Sequence, residues 1–179
     1  MAIKTMSASS GGSKFSEGWH EVTISKAEYG DWNGKKYLDL LFVDYPDNMN
    51  LRVYEVVNKK TNEEFKLANT FKYANAGIVG VLKDPNGKNP LIQYDDEPSG
   101  LIDKTINIYI YKERKTGEGY SRIFDDIAPI AQIGEHLSFT PEQVGGIKAG
   151  VEKRVQAMFE RQAAHTEYNS SSNDNDIPL

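Results

Sequence analysis

The chain has 179 residues, a formal net charge of −5 and no cysteine. This length predicts one domain with flexible ends, and the lack of cysteine excludes disulfides and thiolate metal sites. The acidic balance argues against binding duplex DNA through bulk charge. No apolar run approaches the roughly 18 residues that a membrane span needs, so we expect no membrane association and a cytoplasmic location.

The N-terminal part predicts a flexible segment followed by a β-meander. Residues 1–18 are rich in Ser and Gly, which predicts flexibility. Asn33-Gly34 is a strong signal for a tight hairpin between two strands. Alternating apolar side chains predict strands at 19–29, 35–44 and 51–57.

A helix is predicted after the meander. Thr61 to Glu64 has the form of a capping box, in which the Thr61 hydroxyl accepts a backbone N–H and Glu64 reaches back. Apolar residues recur at helical spacing over 65–82. Glycines weaken the later turns, so the helix is expected to end near Asn75 or to continue as a looser segment. Residues 84–100 are then predicted to form a loop.

Residues 104–124 predict a β-hairpin with a long, basic connection. Isoleucines alternate with other residues over 106–111, so the isoleucines are expected to be buried and Tyr109 and Tyr111 to face outward. The second strand is predicted to begin at Tyr120. The segment contains five Lys or Arg residues against two Glu residues, although the whole chain is acidic. This hairpin is therefore the main candidate for binding a polyanion.

The C-terminal part predicts a helix and a tail. The segment from Thr140 to Gln143 has the form of a helix start with proline at the first position, and a helix is predicted over 140–165. Its firm part is expected over 151–164, because several glycines precede it. Its apolar stripe packs either on the barrel or on a second subunit, as in a homodimer. Residues 166–179 contain no Lys or Arg and predict disorder.

The order of these elements predicts a mostly β fold. Three strands, a helix and two strands are the element order of an OB-fold, a small, partly open barrel that binds single strands and oligosaccharides. We therefore expect a five-stranded OB-fold-like barrel, with a helix between strands 3 and 4 and an additional C-terminal helix. The predicted organisation is a flexible segment (1–18), the barrel domain (19–139), the C-terminal helix (140–165) and the tail (166–179).

This fold places aromatic and cationic side chains along one groove. Aromatic rings would stack on bases, while Lys and Arg would hold phosphates, and such stacking tolerates any sequence. The tyrosines also fit an ordinary cross-strand ladder, and Trp32 also fits packing over the mouth of the barrel. The candidate nucleic-acid contacts are Trp32, Lys35, Tyr37, Arg52, Tyr54, Asn107, Tyr109, Tyr111, Lys112, Arg114, Lys115, Tyr120 and Arg122.

The chain ends in Asp174-Asn175-Asp176-Ile177-Pro178-Leu179. Together with the predicted element order, this ending makes the chain resemble single-stranded DNA-binding proteins of the bacteriophage type. In bacterial members of the family, an acidic, disordered tail ends in Asp-Asp-Ile-Pro-Phe and docks replication and repair enzymes. Here asparagine interrupts the acidic run and leucine replaces the final phenylalanine. The resemblance implies sequence-independent binding of single-stranded DNA in replication, recombination or repair, in the host-cell cytoplasm if the chain is phage-encoded. The tail residues that would recruit partner proteins are Asp174, Asp176, Ile177, Pro178 and Leu179.

Two other functions stay open. An OB-type module can bind protein or oligosaccharide in the same groove. A Mg²⁺-dependent nuclease would need clustered carboxylates, although the candidates lie in loops beside prolines. The histidines are scattered without ligand spacing, and there is no phosphate-binding Gly-Lys-Ser motif. We therefore expect a binding protein without enzymatic activity, metal or cofactor. The carboxylates of the nuclease alternative are Asp95, Asp96, Glu97, Asp125 and Asp126.

Overall fold

The computed structural model describes residues 15–87, 89–113 and 119–171, with side chains as far as Tyr168. A short 3₁₀ helix (Pro98–Leu101) lies among the longer elements. In chain order these elements are β1 (Gly18–Trp32), β2 (Lys35–Phe42), β3 (Leu51–Tyr54), α1 (Lys66–Ala74), β4 (Ile78–Leu82), β5 (Leu91–Tyr94), β6 (Thr105–Glu113), β7 (Tyr120–Ile123), β8 (Gln132–Ile133), β9 (Ser138–Phe139) and α2 (Pro141–Ser171).

The main sheet is organised around β1. It is antiparallel and five-stranded, in the order β3-β2-β1-β6-β7. The first part of β1, as far as Thr23, pairs with β6, and the part from Ile24 onward pairs with β2, with a register shift between Ile24 and Lys26. A bulge of this kind bends the strand and lets one strand serve both halves of a curved sheet. The mostly β fold with a C-terminal helix is confirmed, but the sheet is not closed into a barrel, because β3 and β7 remain at its two edges.

One face of the sheet forms the core. Ile106, Ile108 and Ile110 are fully buried, as their alternation predicted, and Phe71 of α1 packs into the same cluster. Burying such a side chain is worth about 1.5–3 kcal/mol. A register slip of one residue would turn this whole row to the other side of the sheet, so the core fixes which side chains face outward.

The predicted capping box of the first helix is wrong. The helix begins at Lys66, and the carboxylate of Glu64 accepts backbone N–H groups from Lys66 and Leu67 at 2.8 Å and from Ala68 at 3.0 Å. Thr61 plays no part, because residues 57 and 64 already pair as a β-bridge. The predicted end was accurate, since the helix stops at Ala74 and residue 75 adopts the left-handed conformation.

The segment after α1 also differs from the prediction. Instead of a looser helix and a loop, β4 and β5 form a separate two-stranded hairpin. Gly77 starts it with a φ of 63°, and a Cβ there would lie 2.3 Å from the carbonyl oxygen of Asp95. Only glycine satisfies both conditions. A short run of Val, Ile and Leu fits a strand as well as a helix, which explains the error.

The predicted start of the C-terminal helix is confirmed, and Thr140 and Gln143 form a capping box there. The backbone N–H of Gln143 donates to the Thr140 hydroxyl at 3.2 Å, and the Thr140 N–H donates to the Gln143 side-chain oxygen at 2.9 Å. The helix passes through its glycines and ends at Ser171, so residues 166–171 of the predicted tail are helical. The last eight residues, including all the tail residues assigned to partner binding, lie outside the described residues. No helix in the described part of the chain is long and apolar enough to cross a membrane.

The C-terminal helix packs on its own chain. Val151 and Val155 are buried, and Glu152 accepts the indole N–H of Trp19 in β1 at 2.9 Å. Further along, the ring of Phe159 meets Tyr111 of β6 with centroids 6.0 Å apart. The helix therefore packs on the sheet, as the first of the two predicted alternatives has it, and a contact with a second subunit stays a prediction. It covers the outer surface of the part of the sheet formed by the start of β1 and β6.

Candidate nucleic-acid interface

The predicted contacts that the structure describes fall into three groups: one on β2, β3 and the end of β1, one on the outer side of β6, and one at the end of the β6–β7 hairpin. We call the outer surface of β2, β3 and the last part of β1 the front face; it carries the predicted contacts Trp32, Lys35, Tyr37, Arg52 and Tyr54. Directly opposed residues of an antiparallel pair share one side of the sheet. Lys35 is opposite Trp32, and Tyr37 is opposite Tyr54, so the register places these residues on one face.

The centre of the front face is a cluster of Tyr37, Tyr54 and Arg52. The two rings meet edge to face, with centroids 5.5 Å apart and planes at 64°. The guanidinium carbon of Arg52 lies 4.0 Å from the centroid of the Tyr37 ring, which is a cation–π contact. Arg52 is exposed, with 40% of its side-chain surface accessible, so a ligand can reach it.

Asp39 and Asn50 hold Arg52 in this position. A guanidinium nitrogen of Arg52 donates to the Asp39 carboxylate at 3.0 Å, and the Asn50 amide donates to the other carboxylate oxygen at 2.5 Å. The hydrogen bonds to Asp39 and to Tyr54 raise the pKa of Arg52 above its ordinary value. The guanidinium therefore stays charged at every pH at which the protein is folded. Asp39 and Asn50 were not among the predicted contacts, because their role depends on cross-strand neighbours.

Gly30 is a third residue of this face that was not predicted from the sequence. It lies opposite Tyr37 in the β1–β2 register, and a Cβ at this position would be 2.2 Å from Cζ of the Tyr37 ring. The end of the Tyr37 ring thus lies over the bare backbone of β1. A glycine inside a strand often marks such a close approach, but the predicted strand ended at residue 29, whereas β1 continues to Trp32.

The β1–β2 turn presents Trp32 and Lys35. Asn33 and Gly34 both have positive φ, of 52° and 77°, and the Gly34 N–H donates to the Asp31 carboxylate at 3.1 Å. This is the tight turn that the Asn-Gly pair predicted. Trp32 is 60% exposed, a large fraction for an indole ring, and Lys35 is exposed beside it. Both side chains are accessible to a ligand.

The front face is mixed in charge. Glu28 forms an ion pair with Lys26 at 3.2 Å, and Asp39 is engaged by Arg52. Lys36 is not part of the face, because it points to the other side of β2, where it pairs with Asp96 at 3.8 Å. Arg52 and Lys35 are therefore the cations of this face that lie next to the two tyrosines in the register.

The tyrosines of β6 do not join this cluster. They point away from the core as predicted, but α2 covers them. Tyr109 packs edge to face against Trp19 with centroids 5.3 Å apart, and Tyr111 lies between Phe124 and Phe159, with centroid distances of 6.4 and 6.0 Å. Burial raises the pKa of the Tyr111 phenol. The prediction that these rings form one open groove with those of β2 and β3 is wrong in this structure.

Asn107 is a structural residue. It is 5% exposed, its side-chain amide donates to the Pro129 carbonyl at 2.9 Å, and its backbone exchanges two hydrogen bonds with Ala128. The satisfied amide ties β6 to the segment that follows β7. Its selection as a nucleic-acid contact is corrected accordingly.

The remaining predicted contacts lie at the end of the β6–β7 hairpin. Tyr120 is 65% exposed, and Arg122 pairs with the carboxylate of Glu113. Lys112 has an exposed side chain, and its backbone N–H donates to Glu17 at 3.1 Å. The loop residues Arg114 and Lys115 lie outside the described residues.

The carboxylates proposed for a nuclease are engaged separately. Lys66 lies 2.5 Å from Asp125 and 3.3 Å from Asp126, and Arg154 of α2 lies 2.6 Å from Asp126. These ion pairs connect α1 and α2 through the segment after β7. The residues that the structure describes contain no group of three or more His, Asp or Glu side chains arranged to hold a metal ion.

Comparison of the chain with models of known protein families finds no match, and comparison with curated proteins finds none either. The assignment of a function therefore depends on the geometry of the front face and on the resemblance drawn from the sequence.

Proposed function

We propose that this chain binds single-stranded DNA through its front face, without sequence preference, in replication, recombination or repair. The observation that carries the proposal is the cluster of Tyr37, Tyr54 and Arg52 beside the exposed Trp32, all on one face of an antiparallel sheet. Aromatic and guanidinium planes on an open sheet are what single strands stack on.

The strand order supports an OB-like interpretation of the sheet. The neighbours β3-β2-β1-β6-β7, with α1 between the third and the later strands, follow the element order of an OB-fold that is open at one seam. In that fold the surface of the second and third strands is the usual ligand site. In this chain those strands are β2 and β3, which form the front face.

The geometry suggests how a strand would be held. Because the Arg52 guanidinium already lies on the Tyr37 ring, a base adds to the stack on top of Arg52, and a neighbouring base lies against Tyr54 or Trp32. Two stacked bases are worth about 2–6 kcal/mol, whereas a micromolar complex needs about 8 kcal/mol. Phosphate contacts supply the remainder, so the affinity is expected to fall as salt rises. The C-terminal tail would recruit partner proteins, as the resemblance implies.

Tryptophan fluorescence of two single-tryptophan variants tests the proposal. Trp19→Phe leaves the front-face Trp32 as the reporter, and Trp32→Phe leaves Trp19 under α2 as the control. Adding oligo-dT is expected to quench Trp32 strongly and Trp19 little. If neither variant is quenched and a labelled oligo-dT shows no anisotropy change, the proposal is wrong. Quenching by an oligosaccharide but not by oligo-dT would favour the carbohydrate-binding alternative.

A further inference from the structure

Between β3 and α1 the chain forms a short ribbon, residues 56–65. Asn58 donates its backbone N–H to Glu63 at 2.8 Å, and Phe65 donates to Val56 at 3.1 Å, on either side of the bridge between Val57 and Glu64. The Asn62 N–H closes the tip by donating to Asn58 at 2.7 Å. The tip of this ribbon carries Lys59 and Lys60, and both are exposed.

The ribbon is held firmly by Glu64. Besides capping α1, the carboxylate of Glu64 accepts the backbone N–H of Val56 at 3.1 Å, so one side chain joins both arms of the ribbon to the helix. Accepting several N–H groups near a helix N-terminus disperses the negative charge of this carboxylate. These hydrogen bonds therefore hold the backbone of the ribbon that carries the two lysines in a defined position next to α1.

The register places the ribbon at one end of the main sheet. The β2–β3 pairing continues beyond Tyr54, since Glu55 donates its backbone N–H to Lys36 at 3.0 Å. Lys36 is near the first residue of β2, immediately after the β1–β2 turn. Because the strands are antiparallel, the ribbon leaves the sheet at the end where Trp32 and Lys35 lie.

We propose that Lys59 and Lys60 bind the phosphates of a single strand that runs off the front face at this end. The inference rests on the proposed function and extends its footprint. Glu55 and Glu63 are the acidic neighbours; the Glu55 carboxylate accepts the Lys36 N–H at 3.4 Å, and the two lysines occupy the tip. The sequence alone could not separate this pair from ordinary solvated lysines, because only the register shows which end of the sheet they share.

The apolar surface of the ribbon fits the same use. Val57 is 45% exposed and Phe65 is 44% exposed, and both lie at the base of the ribbon between the lysines and the sheet. An exposed aromatic ring on the same ribbon as two cations offers a contact for a base or sugar of the bound strand. The footprint would then run from the Tyr37 cluster, past the β1–β2 turn, to the ribbon tip.

The test measures oligo-dT binding to Lys59→Gln/Lys60→Gln as a function of salt and oligomer length. Each lost phosphate contact lowers the slope of log K against log salt by about 0.7. The slope for the double variant should therefore be shallower than that for the wild type by about 1.4. When salt rises from about 50 to 200 mM, the affinity of the wild type should then fall roughly sevenfold more than the affinity of the variant. The difference should appear with long oligomers and vanish with short ones, within a range of about 4–16 nucleotides.

The matched control is Lys83→Gln/Lys153→Gln, which removes the same charge from exposed positions on the β4–β5 hairpin end and on α2. The inference is overturned if Lys59→Gln/Lys60→Gln binds oligo-dT with the same affinity and slope as the wild type, or if the control variant changes the slope equally. Either result leaves the front-face proposal in place. Absence of oligo-dT binding by the wild type would overturn both. Unchanged thermal unfolding midpoints show that the variants are folded.

Discussion

Replacing Gly30 with alanine should weaken DNA binding while leaving the fold intact. The new methyl group would lie 2.2 Å from Cζ, 2.3 Å from the hydroxyl oxygen and 2.5 Å from Cε2 of Tyr37. These atoms are the far end of a side chain that can rotate, so the ring moves and the strand does not. Gly30 is not among the residues with positive φ, so alanine is compatible with its backbone.

The cost should appear in binding. Displacing the Tyr37 ring removes its contacts with Arg52 and Tyr54, and with them one stacking position for a base, which is worth about 1–3 kcal/mol. The dissociation constant for oligo-dT should rise by about 5- to 150-fold, since 1.4 kcal/mol corresponds to tenfold. Stability should change little, because alanine also reduces the conformational freedom of the unfolded chain, which favours the folded state by about 0.4–1 kcal/mol.

A double-mutant cycle with Tyr37→Ala checks the reasoning. If Gly30 acts through the ring, Gly30→Ala should have no further effect on anisotropy-detected binding once Tyr37 is alanine. Additive losses in the double variant, or wild-type binding by Gly30→Ala with an unchanged unfolding midpoint, would refute the explanation.

The other predictions concern capping, charge and pH. Glu64→Ala should lower the free energy of unfolding, measured by urea denaturation, by about 1–3 kcal/mol, because it leaves N–H groups of α1 and Val56 without their acceptor. The control Thr61→Ala should change it by no more than about 0.5 kcal/mol. Equal effects of the two variants would contradict the observed cap. Asp39→Asn should tighten oligo-dT binding at low salt by about two- to fivefold, since it removes a negative charge and releases Arg52 from an exposed ion pair. Weaker binding would show that the positioning of Arg52 by Asp39 contributes more to affinity than the negative charge of Asp39 removes. Burial raises the pKa of the Tyr111 phenol above its unfolded value of about 10, so the neutral phenol stabilises the fold below about pH 10 and this stabilisation is lost as the pH rises further. Tyr111→Phe should therefore make the free energy of unfolding fall less steeply at alkaline pH. An unchanged pH profile would argue against the burial of Tyr111.

Local sequence signals correctly predicted the elements whose conformation is determined by residues close to them in the chain. The alternation of Ile106, Ile108 and Ile110 identified a strand with one buried face, and the Thr140–Gln143 pair identified the start of α2. Asn33-Gly34 identified its turn for the same reason, because the backbone conformation depends on those two residues alone.

Features that depend on distant neighbours were missed. Tyr109 and Tyr111 alternate as exposed residues would, but residues more than 40 positions later cover them. The role of Gly30 follows from its pairing with Tyr37, and the role of Asp39 follows from its pairing with Arg52. Periodicity gives the side of a strand on which a residue lies, but it does not show what packs on that side.

The position of α2 has a consequence for how the protein would bind. The outer surface of one curved sheet carries two aromatic groups, and the helix closes the one that contains Trp19, Tyr109 and Tyr111. Only the front face then contributes stacking, so phosphate contacts must carry a larger share of the affinity. This makes the ribbon lysines matter most for long strands. It also explains the use of Trp19 as the control in the fluorescence test, because its indole already contacts Glu152 and Lys148 of α2.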